Sequence, residues 1–188
     1  MKEQIFMNSL DNKFPIICKH IFLDKITREH LLYLKEKCES REQEIMTCRP
    51  IRKRSDEESL ELYDKLLKNE NNLLLGIYKY DGNNSKEIIG RVSLYDYNAR
   101  NRSVELGYII EPKCEGRGYV KTAVEETCRL LFESGSVNKI YAQTASFNMS
   151  SINLLLRIGF SIDARLREHH EYHGKLYDDY IFSLLASD

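Results

Sequence analysis

The segment from Ser103 to Glu133 constrains the fold of this chain more than any other. Its first part, S-V-E-L-G-Y-I-I over 103–110, alternates between two sets of side chains and predicts a strand. Apolar residues then recur at helical spacing from about Tyr119, which predicts a helix to the end of the segment. A further strand is predicted at 138–145. Because a strand, a helix and a strand in sequence usually form a parallel pair with a crossover, we expect a parallel pair here.

Turn and cap residues divide the rest of the chain. Further strands are predicted at 16–23, 73–80 and 87–95, a shorter helix after 145, and antiparallel strands within 162–185. Thr27 can cap a helix over 28–38, Ser55 opens a second helix with a capping box, and D-G-N-N at 81–84 predicts a turn. The predicted class is therefore α/β (α+β): one domain over residues 1–188 with a mixed, mostly antiparallel central sheet of about seven strands and helices on both faces.

Charge and cysteine content exclude several classes of protein. The formal net charge is −1, so no strong field favours nucleic acid or an anionic membrane, and no apolar run reaches the roughly 20 residues that span a bilayer. The basic run from Arg49 to Arg54 is followed at once by acidic residues and is interpreted as a solvated loop. Five cysteines without a C-x-x-C pair or zinc spacing indicate reduced thiols, a cytoplasmic location and no metal site.

The turn between the strand at 103–110 and the following helix carries two glycines. Gly116 and Gly118 allow a tight turn and a close approach of the backbone to another group. The first amides of the helix lack partners within it and lie at the positive end of its dipole, so the turn is a candidate phosphate site, to which Lys113 and Arg117 add positive charge. The alternative is a tight turn without a ligand. P-loop and dinucleotide patterns fit worse, because Tyr119 stands where a P-loop has lysine.

These residues resemble a known family. The run K-C-E-G-R-G over 113–118 resembles the Q/R-x-x-G-x-G/A motif of the GNAT superfamily of N-acetyltransferases, with Lys113 in place of Gln or Arg. N-M-S-S at 148–151, followed by Gly159-Phe160, resembles its N-x-x-S…G-F segment. The runs at 105–108 and 174–180 resemble the RimJ/RimL-like branch, which acetylates ribosomal proteins. The resemblance extends from about residue 88 to the C-terminus.

The resemblance implies a sheet that splays between strands four and five, here 103–110 and 138–145, and a gap that receives acetyl coenzyme A (acetyl-CoA) as cosubstrate. It implies that the backbone of Ile109 and Ile110 contacts the pantetheine arm and that Asn148 bonds its amides. A plain helix cap is the alternative role for Asn148. The implied pyrophosphate contacts come from the turn, namely Lys113, Gly116, Arg117, Gly118 and Tyr119.

Transfer of an acetyl group to a free amine by direct attack, through a tetrahedral intermediate, needs a base and a group that stabilises the departing thiolate. Glu171 is the favoured base and Glu105 the second candidate, directly or through water; either could instead be a solvent-facing strand residue. Many family members place a tyrosine acid where this chain has Leu155. Ser151 is then implied as the hydrogen-bond donor to the thiolate, with helix capping as its alternative.

The acceptor is left open at this stage. The first hypothesis is a protein N-terminal amine; the second is a small amine such as a polyamine, an amino sugar or an antibiotic. The third is a non-catalytic sensor that binds acyl coenzyme A. The cluster of His169, His170 and His173 is not expected to converge on one metal ion. No nucleic acid or membrane partner is expected, and a homodimer is among the assemblies left open.

Overall fold

A computed structural model describes residues 10–38, 48, 54–80 and 86–188. Two sequence predictions lie wholly or mostly outside these residues: the turn at 81–84, and the basic run at 49–54, of which only Arg54 is described. Among the helices described, none combines the length and the apolar character needed to cross a lipid bilayer.

The core of the fold is one eight-stranded sheet with the spatial order β1-β2-β3-β4-β5-β6-β8-β7. The strands are β1 (Ile16–Ile17), β2 (Ile21–Lys25), β3 (Leu73–Lys79), β4 (Ile88–Asn98), β5 (Ser103–Ile110), β6 (Lys139–Ala145), β7 (Ser161–Tyr172) and β8 (Lys175–Leu185). All neighbouring pairs are antiparallel except β5 and β6, which are parallel. The mixed, mostly antiparallel sheet and the parallel pair predicted from the sequence are therefore confirmed.

The strand count is eight rather than about seven, because the predicted strand at 16–23 is two strands. The amide of Cys18 donates to the carbonyl of Ile21 at 2.8 Å, which turns the chain back, so that β1 pairs with β2. Because apolar residues lie on both sides of this short turn, the sequence pattern predicted one continuous strand. Strand β4 also runs to Asn98, three residues past its predicted end.

The described residues include the α-helices α1 (Arg28–Cys38), α2 (Asp56–Lys68), α3 (Tyr119–Glu133) and α4 (Met149–Ile158), which pack on the sheet. The predicted caps of the first two are confirmed. The amide of His30 donates to the Thr27 hydroxyl at 3.3 Å, and Ser55 and Glu58 form a reciprocal capping box. These caps satisfy amides at the N-termini of α1 and α2 that have no partner within the helix.

Strand alternation divides the buried side chains into two clusters, one on each face of the sheet. Val104 and Leu106 of β5 belong to the cluster that packs against α3 and α4. Leu74 and Tyr78 of β3 belong to the cluster beneath α1 and α2. The register of β4 and β5 places Glu105 on this second face, so this carboxylate lies on the opposite side of the sheet from α3 and α4.

Candidate active site

Strands β5 and β6 part soon after they meet. They pair at three positions, and Glu105 with Tyr141 is the last. Beyond it β6 stays paired with β8 as far as Ala145, while β5 stays paired with β4 as far as Ile110. The edge of β5 from Leu106 onward therefore has no strand partner in the described chain. The predicted splay is confirmed, and it falls between the fifth and sixth strands because β1 and β2 are separate.

Close packing on the other side of β5 holds that free edge in place. A Cβ atom at Gly90 of β4 would lie 2.5 Å from the carbonyl oxygen of Ile109, so only glycine lets the two backbones approach this closely. The side chains of Ile109 and Ile110 then pack into different clusters, one on each face. Their backbone is thereby fixed beside the gap.

The glycine turn lies between β5 and α3. Gly116 and Gly118 have φ of 69° and 80°, the left-handed region that favours glycine, and a Cβ at either would meet nothing within 4 Å. The buried side chain of Cys114 anchors the start of the turn in the core. Within the described chain, the amides of residues 116–121 have no recorded acceptor, whereas Thr122 donates to the Gly118 carbonyl at 3.0 Å. Unpaired amides at a helix N-terminus that faces open space form an anion site.

The cations around this turn are not equivalent. The amine of Lys113 lies 3.0 Å from Glu111 and 3.5 Å from Glu87. The hydrogen bond to Glu111 raises the pKa of Lys113 above its usual range. Lys121 pairs with Glu125, whereas Arg117 is exposed and has no recorded ion pair among the described residues. Arg117 is therefore the side chain of this turn best placed to meet an anion.

The N-terminus of α4 holds the next two predicted site residues. Asn148 caps the helix, because its side-chain oxygen accepts from the amide of Ser151 at 3.2 Å. The amide nitrogen of its side chain has no recorded partner among the described residues. The Ser151 hydroxyl lies 2.7 Å from the hydroxyl of Tyr108 on β5. Leu155, where many relatives have tyrosine, is fully buried in the core.

Tyr108 is a site residue that sequence reasoning missed. Burial raises the pKa of its phenol to about 12, and the hydrogen bond to Ser151 acts in the opposite direction. The phenol therefore keeps its proton at neutral pH. Alternation along β5 predicts that Tyr108 shares a face with Leu106, but its contact with a helix more than forty residues away had no signal in the sequence.

The two candidate bases have different environments. Glu105 is half-buried and faces α1 and α2 near the point where β5 and β6 part. Glu171 is exposed near the end of β7, and its carboxylate accepts a hydrogen bond from the amide of Gly174 in the β7–β8 turn. His173 and Gly174 in that turn both have positive φ, so Glu171 supports a tight hairpin.

A polar cluster that the sequence did not reveal lies on the same face as Glu105, at the end of β6. Asp179 is fully buried and accepts from the Gln143 side chain at 2.7 Å. His170 Nδ1 lies 3.3 Å from the other Asp179 carboxylate oxygen, and the Cys48 thiol is close by. Burial, then the negative charge of Asp179, raises the pKa of Cys48 to about 12; the charge of Glu105 contributes further in the same direction.

The fold and the site define the class of this protein. A mixed sheet that splays at its parallel pair, beside a glycine turn at a helix N-terminus, is the arrangement that the GNAT resemblance implies. Residues 20–161 match the family model described as acetyltransferase (GNAT) domain. The chain therefore belongs to the GNAT acetyltransferase family, and the predicted membership is confirmed.

Individual relatives place the chain within that family. It is 32% identical over 102 residues to the uncharacterized N-acetyltransferase p20 of Bacillus licheniformis, over 54% of this chain and 57% of the relative. It is 30% identical over 93 residues to a spermidine N(1)-acetyltransferase of Vibrio cholerae, a match that covers 50% of this chain and 54% of the relative. It is 30% identical over 109 residues to the putative ribosomal N-acetyltransferase YdaF of Bacillus subtilis, a match that covers 58% of this chain and 57% of the relative. These matches span just over half the length of each relative.

Solved structures agree with the fold. The crystal structure of spermidine N-acetyltransferase from Vibrio cholerae in complex with CoA and spermine has a TM-score of 0.80 at 24% identity, covering 89% of this chain and 96% of that chain. An acetyltransferase (GNAT family) from Bacillus anthracis has a TM-score of 0.76 at 15% identity, covering 93% of this chain and 100% of that chain. At these identities the likeness establishes the fold.

Proposed function

We propose that this chain is an acetyl-CoA-dependent N-acetyltransferase and that residues 1–188 act as one catalytic domain. The observation that carries the proposal is the gap between β5 and β6, which opens next to the turn at Gly116 and Gly118. Acetyl-CoA supplies the reactive thioester when bound. The acceptor supplies the attacking amine, and groups of this chain bind and orient the two substrates and handle the protons.

The groups around the gap fit such a cosubstrate. The amides from Gly116 to Tyr119 and the Arg117 guanidinium suit a pyrophosphate. The free edge of β5 at Ile109 and Ile110 offers backbone donors and acceptors, as an unpaired strand edge does. Asn148 adds a side-chain amide that can donate while its oxygen caps α4. Lys113 contributes less in this assignment, because its amine is paired with Glu111.

We assign the base role to Glu105 rather than Glu171. Glu105 is half-buried on the face of the sheet opposite α3 and α4, where an acceptor amine can approach the gap. It can take the amine proton directly or through one water molecule. The Glu171 carboxylate is already used by the Gly174 amide of the hairpin. Backbone amides on the free edge of β5 are the candidate donors to the developing oxyanion.

We assign stabilisation of the departing thiolate to Ser151, with Tyr108 behind it. The serine hydroxyl can donate to the thiolate while it accepts from the tyrosine. A hydrogen bond from a second hydroxyl makes the first a stronger donor, as in other hydrogen-bonded chains. Because the Tyr108 pKa is about 12, this pair stays protonated over the neutral and mildly alkaline range.

The acceptor we propose is a primary amine, with a protein N-terminus as the first candidate. The segments at 105–108 and 174–180 support it, as does similarity to the putative ribosomal N-acetyltransferase and to a ribosomal-protein-serine acetyltransferase of Escherichia coli, 26% identical over 93 residues. A polyamine is the second candidate. The half-buried carboxylate of Glu105 on the acceptor face, and the spermidine N(1)-acetyltransferase among the relatives, favour it.

One experiment separates these candidates. Thiol release from acetyl-CoA is followed with peptides that begin with Ala or Ser, with spermidine and spermine, and with aminoglycosides, and the products are identified by mass spectrometry. We expect one class of amine to be acetylated at a rate that saturates as the amine concentration rises. Binding of acetyl-CoA by calorimetry without thiol release on any acceptor would contradict the enzyme assignment and favour a sensor.

A further inference from the structure

We propose that Cys48, His170 and Asp179 form a binding site for a divalent transition-metal ion of the zinc class. The three residues come from separate parts of the chain: Cys48 lies between α1 and α2, His170 is on β7 and Asp179 is on β8. One ligand atom from each lies within 4.8 Å of the other two. The site is independent of acetyl transfer, because none of the three residues has a role in the proposed reaction.

The carboxylate of Asp179 is the strongest reason to expect a cation. Asp179 is fully buried, and Gln143 donates to one of its oxygens at 2.7 Å. The other oxygen, Oδ1, has only weak contacts: His170 Nδ1 is 3.3 Å away but outside normal hydrogen-bond geometry, and the Cys48 thiol is a weak donor to this carboxylate. A buried carboxylate oxygen without a strong donor is costly. A metal ion bound between these groups would remove that cost.

The set of ligand atoms selects the kind of metal. Nitrogen, sulfur and oxygen together suit zinc and similar transition metals, whereas calcium and magnesium prefer oxygen alone. In a tetrahedral zinc site the ligand atoms lie roughly 3.3–3.8 Å from one another, as follows from bond lengths of about 2.0–2.3 Å. The His170–Asp179 separation of 3.3 Å already has this value. Three protein ligands would leave the fourth position open to water or another small ligand.

Neighbouring side chains hold two of the ligands in place. Gln143 orients the Asp179 carboxylate through its hydrogen bond. The ring of Phe147 packs edge-on against His170, with the ring centres 5.1 Å apart. Supporting contacts of this kind fix ligand geometry in metal sites. No sequence pattern showed this site, because its ligands are far apart in the chain and come together only when β7 and β8 pair.

The test uses the full chain, freed of metal by a chelator and then dialysed. Cobalt(II), which takes the place of zinc and can be seen by absorption, is titrated into the protein. We expect one equivalent to bind with a sulfur-to-cobalt charge-transfer band and intense tetrahedral bands in the visible. Zinc should displace the cobalt. Cys48→Ser should abolish the charge-transfer band, and Asp179→Asn and His170→Ala should weaken binding.

Matched variants control for unspecific binding. Cys18→Ser removes another partly buried thiol and His169→Ala removes the exposed neighbour of His170, so both should bind cobalt as the unchanged chain does. Gln143→Leu keeps all three ligands and should weaken binding roughly 10- to 100-fold. The absence of a charge-transfer band, or a band that survives Cys48→Ser, would overturn the proposal. Cys48 lies outside the helices and strands, so this variant decides the matter even if His170→Ala or Asp179→Asn does not fold.

Discussion

The hydroxyl oxygens of Tyr108 and Ser151 lie 2.7 Å apart and connect β5 to the first turn of α4 beside the gap in the sheet. This pair lies close to where many family members have a tyrosine acid, a position that Leu155 fills here with a buried apolar side chain. The chain therefore places a tyrosine near the site from a strand rather than from the helix. Its proton is retained because burial raises the pKa of Tyr108 to about 12.

Removing either hydroxyl should slow transfer without unfolding the protein. We expect Tyr108→Phe to lower kcat about three- to tenfold, the value of one hydrogen bond, and Ser151→Ala to lower it more, because it removes the donor itself. Steady-state kinetics at saturating acetyl-CoA measure the kcat of both variants. Tyr97→Phe, which removes a phenol bonded to the Ser136 carbonyl on another part of the sheet, is the control and should keep kcat. Equal activity of all three variants would rule out a role for the pair.

The two candidate bases can be separated by matched amide substitutions. We expect Glu105→Gln to lower kcat/KM roughly 10²- to 10⁴-fold, because the amide cannot accept the amine proton. Glu171→Gln should keep the rate within a few-fold. Its expected effect is a loss of about 1 kcal/mol in the free energy of unfolding, since the hairpin loses a charged hydrogen-bond acceptor. The reverse pattern would return the base role to Glu171.

The role of the glycine turn in binding acetyl-CoA can be tested with a control glycine that has the same left-handed backbone but lies elsewhere. Gly118 and Gly135 have φ of 80° and 70°, and a Cβ at either would meet nothing within 4 Å. Alanine at either position should therefore lower the free energy of unfolding by a similar amount, about 1–2 kcal/mol, through backbone strain. We expect Gly118→Ala to weaken acetyl-CoA binding about tenfold or more, because the added Cβ disfavours the left-handed backbone and hinders close approach of the pyrophosphate to the amides of the turn. Gly135→Ala should bind acetyl-CoA normally in calorimetry; equal losses would remove the turn from the site.

Alkaline stability should reflect the buried phenols. The pKa of Tyr108 rises from 10.0 to about 12 on folding, so above pH 10 the unfolded chain loses a proton that the folded chain keeps. The free energy of unfolding should therefore fall as pH rises from about 10 to 12, by about 1–2 kcal/mol from this group. Tyr78, whose pKa burial also raises to about 12, should add to the loss. Urea unfolding of Tyr108→Phe should show a smaller decrease over this range, and an unchanged decrease would refute the assignment.

Local patterns in the sequence were sufficient for most of the fold. The strand at 103–110 and the helix at 119–133 have the bounds predicted from alternation and helical periodicity. The caps at Thr27 and Ser55 were predicted correctly because a cap depends on residues within one turn. The strand at 16–23 was the exception. A three-residue turn without glycine or proline interrupts it, and the apolar pattern continues on both sides.

The amino-acid sequence alone was enough to establish the order of elements, the parallel pair and the glycine turn that marks the family, since each depends on residues close together in the chain. Only tertiary structure brought Tyr108 to Ser151 and gathered Cys48 and His170 around the buried carboxylate of Asp179. Sheet pairing and helix docking create those contacts between distant segments. Periodicity records which face a side chain occupies, but not which distant residue it meets there.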